Sequence, residues 1–174
     1  MENKLNKTKV IFVIGRSASG KSTVSRLLSD ELSKKNKCLL VDADDLGKYN
    51  IKPLPGVFTF EARLERNKFM LKIIDWLSKQ AEIIIVAGIG QPKEIRDMWK
   101  DKFKESTLIY LKSNIDTCEK RDFKGIYKLK HNVIGKDLPF IEPLESNIVV
   151  NVDKIDAIEA CKQVLKKYNE LNNK

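Results

Sequence analysis

The sequence predicts a three-layer α/β fold, a parallel five-stranded sheet with helices on both faces and a lid segment. Three observations carry that prediction. Short, continuously apolar and β-branched runs recur along the chain, as strands buried on both faces must. Stretches with helical apolar spacing separate them, so that successive strands can pair in parallel through crossovers. The first apolar run, VIFVI, leads directly into GRSASGKS, a glycine-rich turn that opens a helix.

Each element follows in order. KVIFVI (9–14) is the first strand, and residues 21–35 form a helix with Val24, Leu27, Leu28 and Leu32 on one side. CLLVD (38–42) is the second strand, followed by a loop containing Pro53, Pro55 and Gly56. A helix from Phe60 to Lys79 repeats Leu64, Met70, Ile73, Ile74 and Leu77 at helical spacing, and EIIIVAG (82–88) is the third strand. Residues 92–104 read as a helix with Pro92 near its start, where a fixed φ is an advantage. TLIYL (107–111) is the fourth strand and a short helix covers 115–121. Residues 122–146 lack regular pattern and are rich in charge; they read as the lid. NIVVN (147–151) is the fifth strand, and Ile155, Ile158, Val164 and Leu165 mark a C-terminal helix.

A chain of 174 residues fits a single domain, 1–174, with a real core. Cys38, Cys118 and Cys161 are odd in number and widely spaced, and His131 is the only histidine, so neither a disulfide framework nor a zinc site follows. A reducing, cytoplasmic setting is the expectation. The apolar run near the N-terminus is too short for a signal-peptide core and no stretch approaches a membrane span, so no membrane partner is expected. The net charge of +9 suits steering of polyanionic small substrates. It would also suit nucleic acid, but no recognised nucleic-acid motif accompanies it, so no nucleic-acid partner is expected.

GRSASGKS matches G-x-x-x-x-G-K-[ST], and its chemistry is phosphate binding. Gly15 and Gly20 permit backbone angles that a side chain would forbid. Between them Arg16, Ser17, Ala18 and Ser19 can turn their amides inward around a polyphosphate, at the positive end of the helix that follows. Lys21 reaches the β/γ-phosphates, and the Ser22 hydroxyl can ligate Mg²⁺. The sequence therefore predicts a phosphate-loop (P-loop) NTPase fold using ATP with Mg²⁺. In such a sheet the ligand lies at the carboxyl ends of the strands. There the second strand gives Asp42, Asp44 and Asp45, which lie across the cleft from the phosphate loop if the first two strands frame it. One acid can support Mg²⁺ and another accept the proton of an attacking hydroxyl; the competing use is a turn or helix N-cap. The third strand ends VAGIG, without an acid, which places the metal-supporting burden on Asp42. Further on, Phe58, Arg63 and Arg66 can grip and stack an anionic acceptor, or form a solvated face over a core Phe58. RDFKGIYKLK (121–130) falls where phosphate-loop kinases carry a lid that excludes water.

These residues resemble the adenylylsulfate kinase family, from the first strand to the fifth. CEKRDFKGIYKLK is similar to the family's C-E-x-R-D-x-K-G-L-Y-K-x-A, and LPFIEP to its S-P-Y-E-x-P. VDADD stands at its D-G-D-N, and FTFEAR at its F-S-x-E-D-R. The resemblance implies transfer of the γ-phosphate of ATP to the ribose 3′-hydroxyl of adenylylsulfate. It implies that Gly15, Ser19, Gly20, Lys21, Ser22 and Thr23, with Ser17 and Ala18 between them, hold the ATP phosphates. Arg121 would lie near the adenine, and Ser22 and Asp42 would support the metal. Asp44 would face the acceptor hydroxyl. Phe58, Arg63, Arg66 and Ile89 would line the acceptor site, with Lys124, Gly125 and Tyr127 from the lid. A homodimer is likewise implied only by the resemblance.

Departures gather on the acceptor side. Ala43, Asp45 and Gly47 replace the family's Gly, Asn and Arg; Arg66 and Asn67 shift its Asn; Ile89-Gly90-Gln91-Pro92 replaces its I-S-P-[YF]; and Val133 falls at its second base-stacking Phe. Two acceptors stay open, adenylylsulfate and a different nucleotide such as cytidine diphosphoramidate, used in modifying capsular polysaccharide. A non-catalytic nucleotide-binding regulator is the reading from another class.

Overall fold

The computed structural model describes residues 8–51, 53–54, 57–129 and 131–173. Pro55 and Gly56 of the predicted loop, and Lys130 at the end of the lid motif, lie outside the described residues. The five strands are β1 (Lys9–Ile14), β2 (Cys38–Asp42), β3 (Ile83–Gly88), β4 (Thr107–Lys112) and β5 (Ile148–Asn151). They form one parallel sheet in the order β2-β3-β1-β4-β5. The predicted strands hold to within a residue at each end.

Strand alternation sorts the core into two layers. Ile11, Val13, Ile83, Ile85, Ile109, Leu111, Ile148 and Val150 point to one face. There they meet Val24 and Leu28 of α1 (Lys21–Ser33), and Ala160, Cys161 and Val164 of α7 (Ala157–Asn172). Val10, Phe12, Ile14, Ile84, Val86 and Tyr110 point to the other face. They pack on Met70 and Ile74 of α3 (Phe60–Leu77), and on Ile95 and Trp99 of α4 (Lys93–Lys102). Phe12 and Trp99 stack at 4.4 Å between ring centroids. A sheet covered on both faces needs no polar face, which is why its strands read as unbroken apolar runs. The three-layer α/β architecture is the predicted one. Ile158, expected to mark the C-terminal helix core, is instead exposed.

Two short helices were not legible. α2 (Ala43–Lys48) begins on the acid cluster and α6 (Ile126–Leu129) lies inside the predicted lid; α5 (Ile115–Lys120) matches its prediction. Neither is long enough to show a period, and α2 carries Gly47 in its interior. β1 and β2 are not neighbours, because β3 pairs with both; the cleft they frame at their carboxyl ends has the end of β3 between them. Among the described residues no helix is long and apolar enough to cross a membrane.

Candidate active site

The phosphate loop bridges β1 and α1. Gly15 lies so close to β4 that an added Cβ would stand 2.7 Å from the Leu111 carbonyl oxygen and 2.7 Å from Ser19 Oγ. Gly20 has φ +90°, a left-handed angle that costs a side chain strain. It is the residue before α1, where no side chain caps the helix and no acid occupies the first turn. The first N–H groups of α1 are therefore left for an anion, with the helix dipole behind them. Ser19 is buried and its Oγ has no hydrogen-bond partner.

The loop is braced from behind. Arg16 donates to the Ser113 carbonyl at 3.1 Å and lies 4.5 Å over the Phe140 ring, which packs on Tyr110. Phe140 belongs to LPFIEP, so this motif supports the loop rather than entering the cavity. Tyr127 is buried with Cys118 and Val133, and its hydroxyl donates to the Ser17 carbonyl at 3.0 Å. Burial pushes its phenol well above the ordinary tyrosine range, with Cys118 adding to the shift. It is a donor to the loop.

One large cavity, about 1340 Å³, opens at the carboxyl ends of the strands. Of the sequence-predicted residues it brings together Ser17 to Thr23, Asp42, Asp44, Phe58, Arg63, Arg66, Ile89, Arg121 and Lys124. Gly15 lies behind the loop. Gly125 and Tyr127 do not line the cavity, and Tyr127 braces the loop instead of reaching an acceptor. Val133 is likewise core, not a base-stacking wall.

Lys21 donates to the Arg16 carbonyl at 2.6 Å. Burial lowers its pKa from the ordinary lysine value, while Asp44 and Asp42 oppose that shift. Of the uses the sequence left as alternatives, the structure shows the N-cap, made with one oxygen of Asp42. Its Oδ1 caps α2 by accepting the Asp44 N–H at 2.8 Å, whereas its Oδ2 is buried without a hydrogen bond. A buried carboxylate oxygen held in place by its own cap is a fit for Mg²⁺ together with the Ser22 hydroxyl, the phosphates completing the set. Among the described residues no cluster of three acids, cysteines or histidines could hold a metal alone. Asp44, more exposed, accepts from Lys124 Nζ at 2.8 Å, joining α2 to the lid.

On the acceptor side, Phe58 lies beneath two guanidinium groups, Arg63 at 5.8 Å and Arg66 at 6.0 Å from its centroid. Burial and the neighbouring Arg66 lower the Arg63 pKa; burial alone lowers that of Arg66. Arg63 donates to the Asn132 carbonyl at 2.8 Å, and Arg66 to the Leu54 carbonyl at 2.7 Å. Both arginines thus hold the loops around Phe58, part of their donor capacity being spent on backbone. Arg121 donates to the Asp153 and Ile155 carbonyls, fixing the loop after β5 against the cavity.

The segment predicted as an unpatterned lid is ordered by local bonds. Asp122 accepts the Tyr127 N–H at 2.7 Å, Lys136 donates to the Tyr127 carbonyl, and Asp137 accepts the Val133 N–H at 2.9 Å. Sequence reasoning missed Arg26 and Gln91. Arg26 lines the cavity beside Asp45, where helical spacing from Ser22 could have flagged it. Gln91 is buried and donates to the Ile141 carbonyl at 2.5 Å, locking the turn after β3 to the segment after Phe140.

Comparison with known proteins agrees with this geometry. The sequence profile described as adenylylsulphate kinase matches residues 7–151. An adenylyl-sulfate kinase of Thermodesulfovibrio yellowstonii is 33% identical over 168 residues, spanning 92% of this chain and 84% of its own. The APS kinase CysC of Mycobacterium tuberculosis, solved with AMPPNP and APS, superposes with a TM-score of 0.82 at 21% identity, over 94% of this chain and 98% of that one. A shikimate kinase of Acinetobacter baumannii, solved with shikimate, gives 0.67 at 18% identity over 98% and 97%. The second likeness shows the shared fold.

Proposed function

The chain belongs to the adenylylsulphate kinase family, and from that premise we propose that it transfers the γ-phosphate of ATP to the ribose 3′-hydroxyl of a nucleotide, adenylylsulfate by default. One observation carries the reading. The phosphate loop with Lys21 and the strand-end acid Asp44 face one cavity, close enough that Asp44 acts on the Lys21 charge. ATP lies on the loop amides and the first turn of α1, with Arg121 toward the base. Asp42 Oδ2 and Ser22 would hold Mg²⁺, which neutralises phosphate charge when bound. Asp44 orients the acceptor hydroxyl and takes its proton. Its partner Lys124 holds the carboxylate in place, and the loose transition state of phosphoryl transfer asks for little basicity. Lys21 and Lys124 then share the charge that develops on the moving phosphoryl group. Phe58 stacks on the acceptor base under Arg63 and Arg66.

A second acceptor has an observation of its own. Val133 is buried under the lid with Tyr127 and Cys118 and does not line the cavity, whose phenylalanines are Phe58 and Phe123, and Gly47 supplies no side chain. The absence of a side chain at Gly47 and of an aromatic ring at Val133 alters the acceptor side, which supports cytidine diphosphoramidate as the alternative. The test is a steady-state assay with ATP·Mg²⁺ and each acceptor. Turnover of adenylylsulfate with kcat/KM above ~10⁴ M⁻¹s⁻¹ supports the default; turnover of the cytidine compound alone supports the alternative. No turnover with any acceptor, despite ATP binding, would leave the regulator reading. In either enzymatic case the protein works with ATP and a small nucleotide acceptor, in the cytoplasm, as a homodimer.

A further inference from the structure

The geometry points to Arg26 as a specificity-determining residue of the acceptor half, its guanidinium placed to bind the anionic 5′ group of the acceptor nucleotide. This rests on the reading of the cavity as a nucleotide-acceptor site. Arg26 lies one helical turn beyond Ser22 on α1, yet it reaches across the cavity to the start of α2. Its Nη2 stands 3.4 Å from Asp45 Oδ2 and 3.8 Å from Asp42 Oδ2. Asp44 lies in the same turn of α2, so the guanidinium sits within that turn's reach of the carboxylate assigned to the acceptor hydroxyl.

Three of the cavity's other cations are tied down at short range, and Lys48 lies over the Tyr49 ring at 5.3 Å. Arg63 and Arg66 donate to backbone carbonyls, and Lys124 is paired with Asp44 at 2.8 Å. Arg26 differs. Its side chain is 53% exposed and its nearer partner, Asp45, is 48% exposed at a long 3.4 Å. An exposed pair of that length is weak, so the fork can turn to a phosphate, sulfate or phosphoramidate oxygen and bind it with two parallel N–H donors. Asp45 then acts as a holder that keeps the long side chain over the cavity. The arrangement also answers a charge problem. Asp42, Asp44 and Asp45 gather negative charge where an anionic acceptor must approach, and α2 itself answers with a single cation, Lys48, after Gly47. A cation supplied from α1 offsets that field.

The test measures binding, so that it does not depend on catalysis. With AMPPNP·Mg²⁺ saturating the phosphate loop, calorimetry compares AMP with adenosine and CMP with cytidine, on the wild-type chain, Arg26→Ala and Arg26→Lys. The wild type should prefer the monophosphate for at least one base. Arg26→Ala should weaken that monophosphate about 10- to 100-fold, the range for a hydrogen bond to a charged group, while the nucleoside is unchanged. Arg26→Lys should recover part of the loss. Arg26 is half-exposed, so folding is not at stake, and a melting curve verifies it. A wild type without preference for the monophosphate would overturn the assignment, as would an Arg26→Ala variant that weakens both ligands equally or neither. If the binding pattern holds while the wild type phosphorylates no acceptor, the kinase reading falls and the assignment of Arg26 stands.

Discussion

The phosphate-loop half and the acceptor half of the cavity are built on different principles. The loop half is made of backbone. Its proposed ligand groups are amides between Gly15 and the first turn of α1, joined by the side chains of Lys21 and Ser22, while Arg16, Tyr127 and Phe140 brace it. The acceptor half is made of side chains brought from separate elements: Arg26 from α1, Asp44 from α2, Phe58 from the loop before α3, Arg63 from α3 and Lys124 from the lid. A backbone site is intolerant of change, because every amide depends on the path of the chain. A side-chain site can exchange one residue at a time, so acceptor specificity can drift while the ATP chemistry stays fixed.

Substitutions sharpen that contrast. The largest effect is expected in the loop half. Lys21→Ala should cut kcat/KM about 10³-fold, the cost of removing a preorganised charge donor, and a near-normal rate in a stopped assay would break the loop assignment. Because burial lowers the Lys21 pKa, the alkaline limb of kcat/KM for ATP in the wild type should fall below the pH at which free lysine titrates. Asp44→Asn should lower kcat about 10²-fold, at the low end for a general base, with the ATP dissociation constant unchanged. An unaltered kcat would transfer the role to Asp42 or Asp45. Gly15→Ala tests backbone intolerance directly. A Cβ 2.7 Å from the Leu111 carbonyl should destabilise the fold by about 1–3 kcal/mol, read as a lower melting temperature. Phe58→Ala belongs to the tolerant half. It should raise the acceptor KM about tenfold, as lost stacking does, and leave the ATP KM alone. The smallest effect is Tyr127→Phe, which removes the bond to Ser17 and about 1 kcal/mol of stability at nearly unchanged kcat.

The same contrast explains what the sequence disclosed. The sheet was legible because strands buried on both faces spell continuous apolar runs, and the loop because its spacing is local: Gly15, Gly20, Lys21 and Ser22 act within one turn. Arg26 was not legible, since its partner Asp45 is brought near by packing of α1 against the β2 end of the sheet. The base-stacking position at Val133 could not be judged either. Whether that residue faces the cavity or the core depends on how Asp137 and Lys136 fold the segment around it. α2 and α6 stayed hidden because a single helical turn has no period. Asp42 was legible as an acid at a strand end, but its division of labour, one oxygen capping and one without a hydrogen bond, 3.8 Å from Arg26, is a property of geometry alone.

The order of the strands also sets a length. With β3 between β1 and β2, the acid at the end of β2 and the loop at the end of β1 stand two strand spacings apart, about 10 Å. That span separates the phosphate-loop edge of the cavity from its acid edge, with Gly88 and Ile89 at the end of β3 between them. The sheet thus works as a ruler between the two edges, ruled by the hydrogen bonds of its backbone. A side-chain substitution at either edge leaves this distance, fixed by the pairing of Asp42 with Ala87 and of Ile14 with Gly88, unchanged.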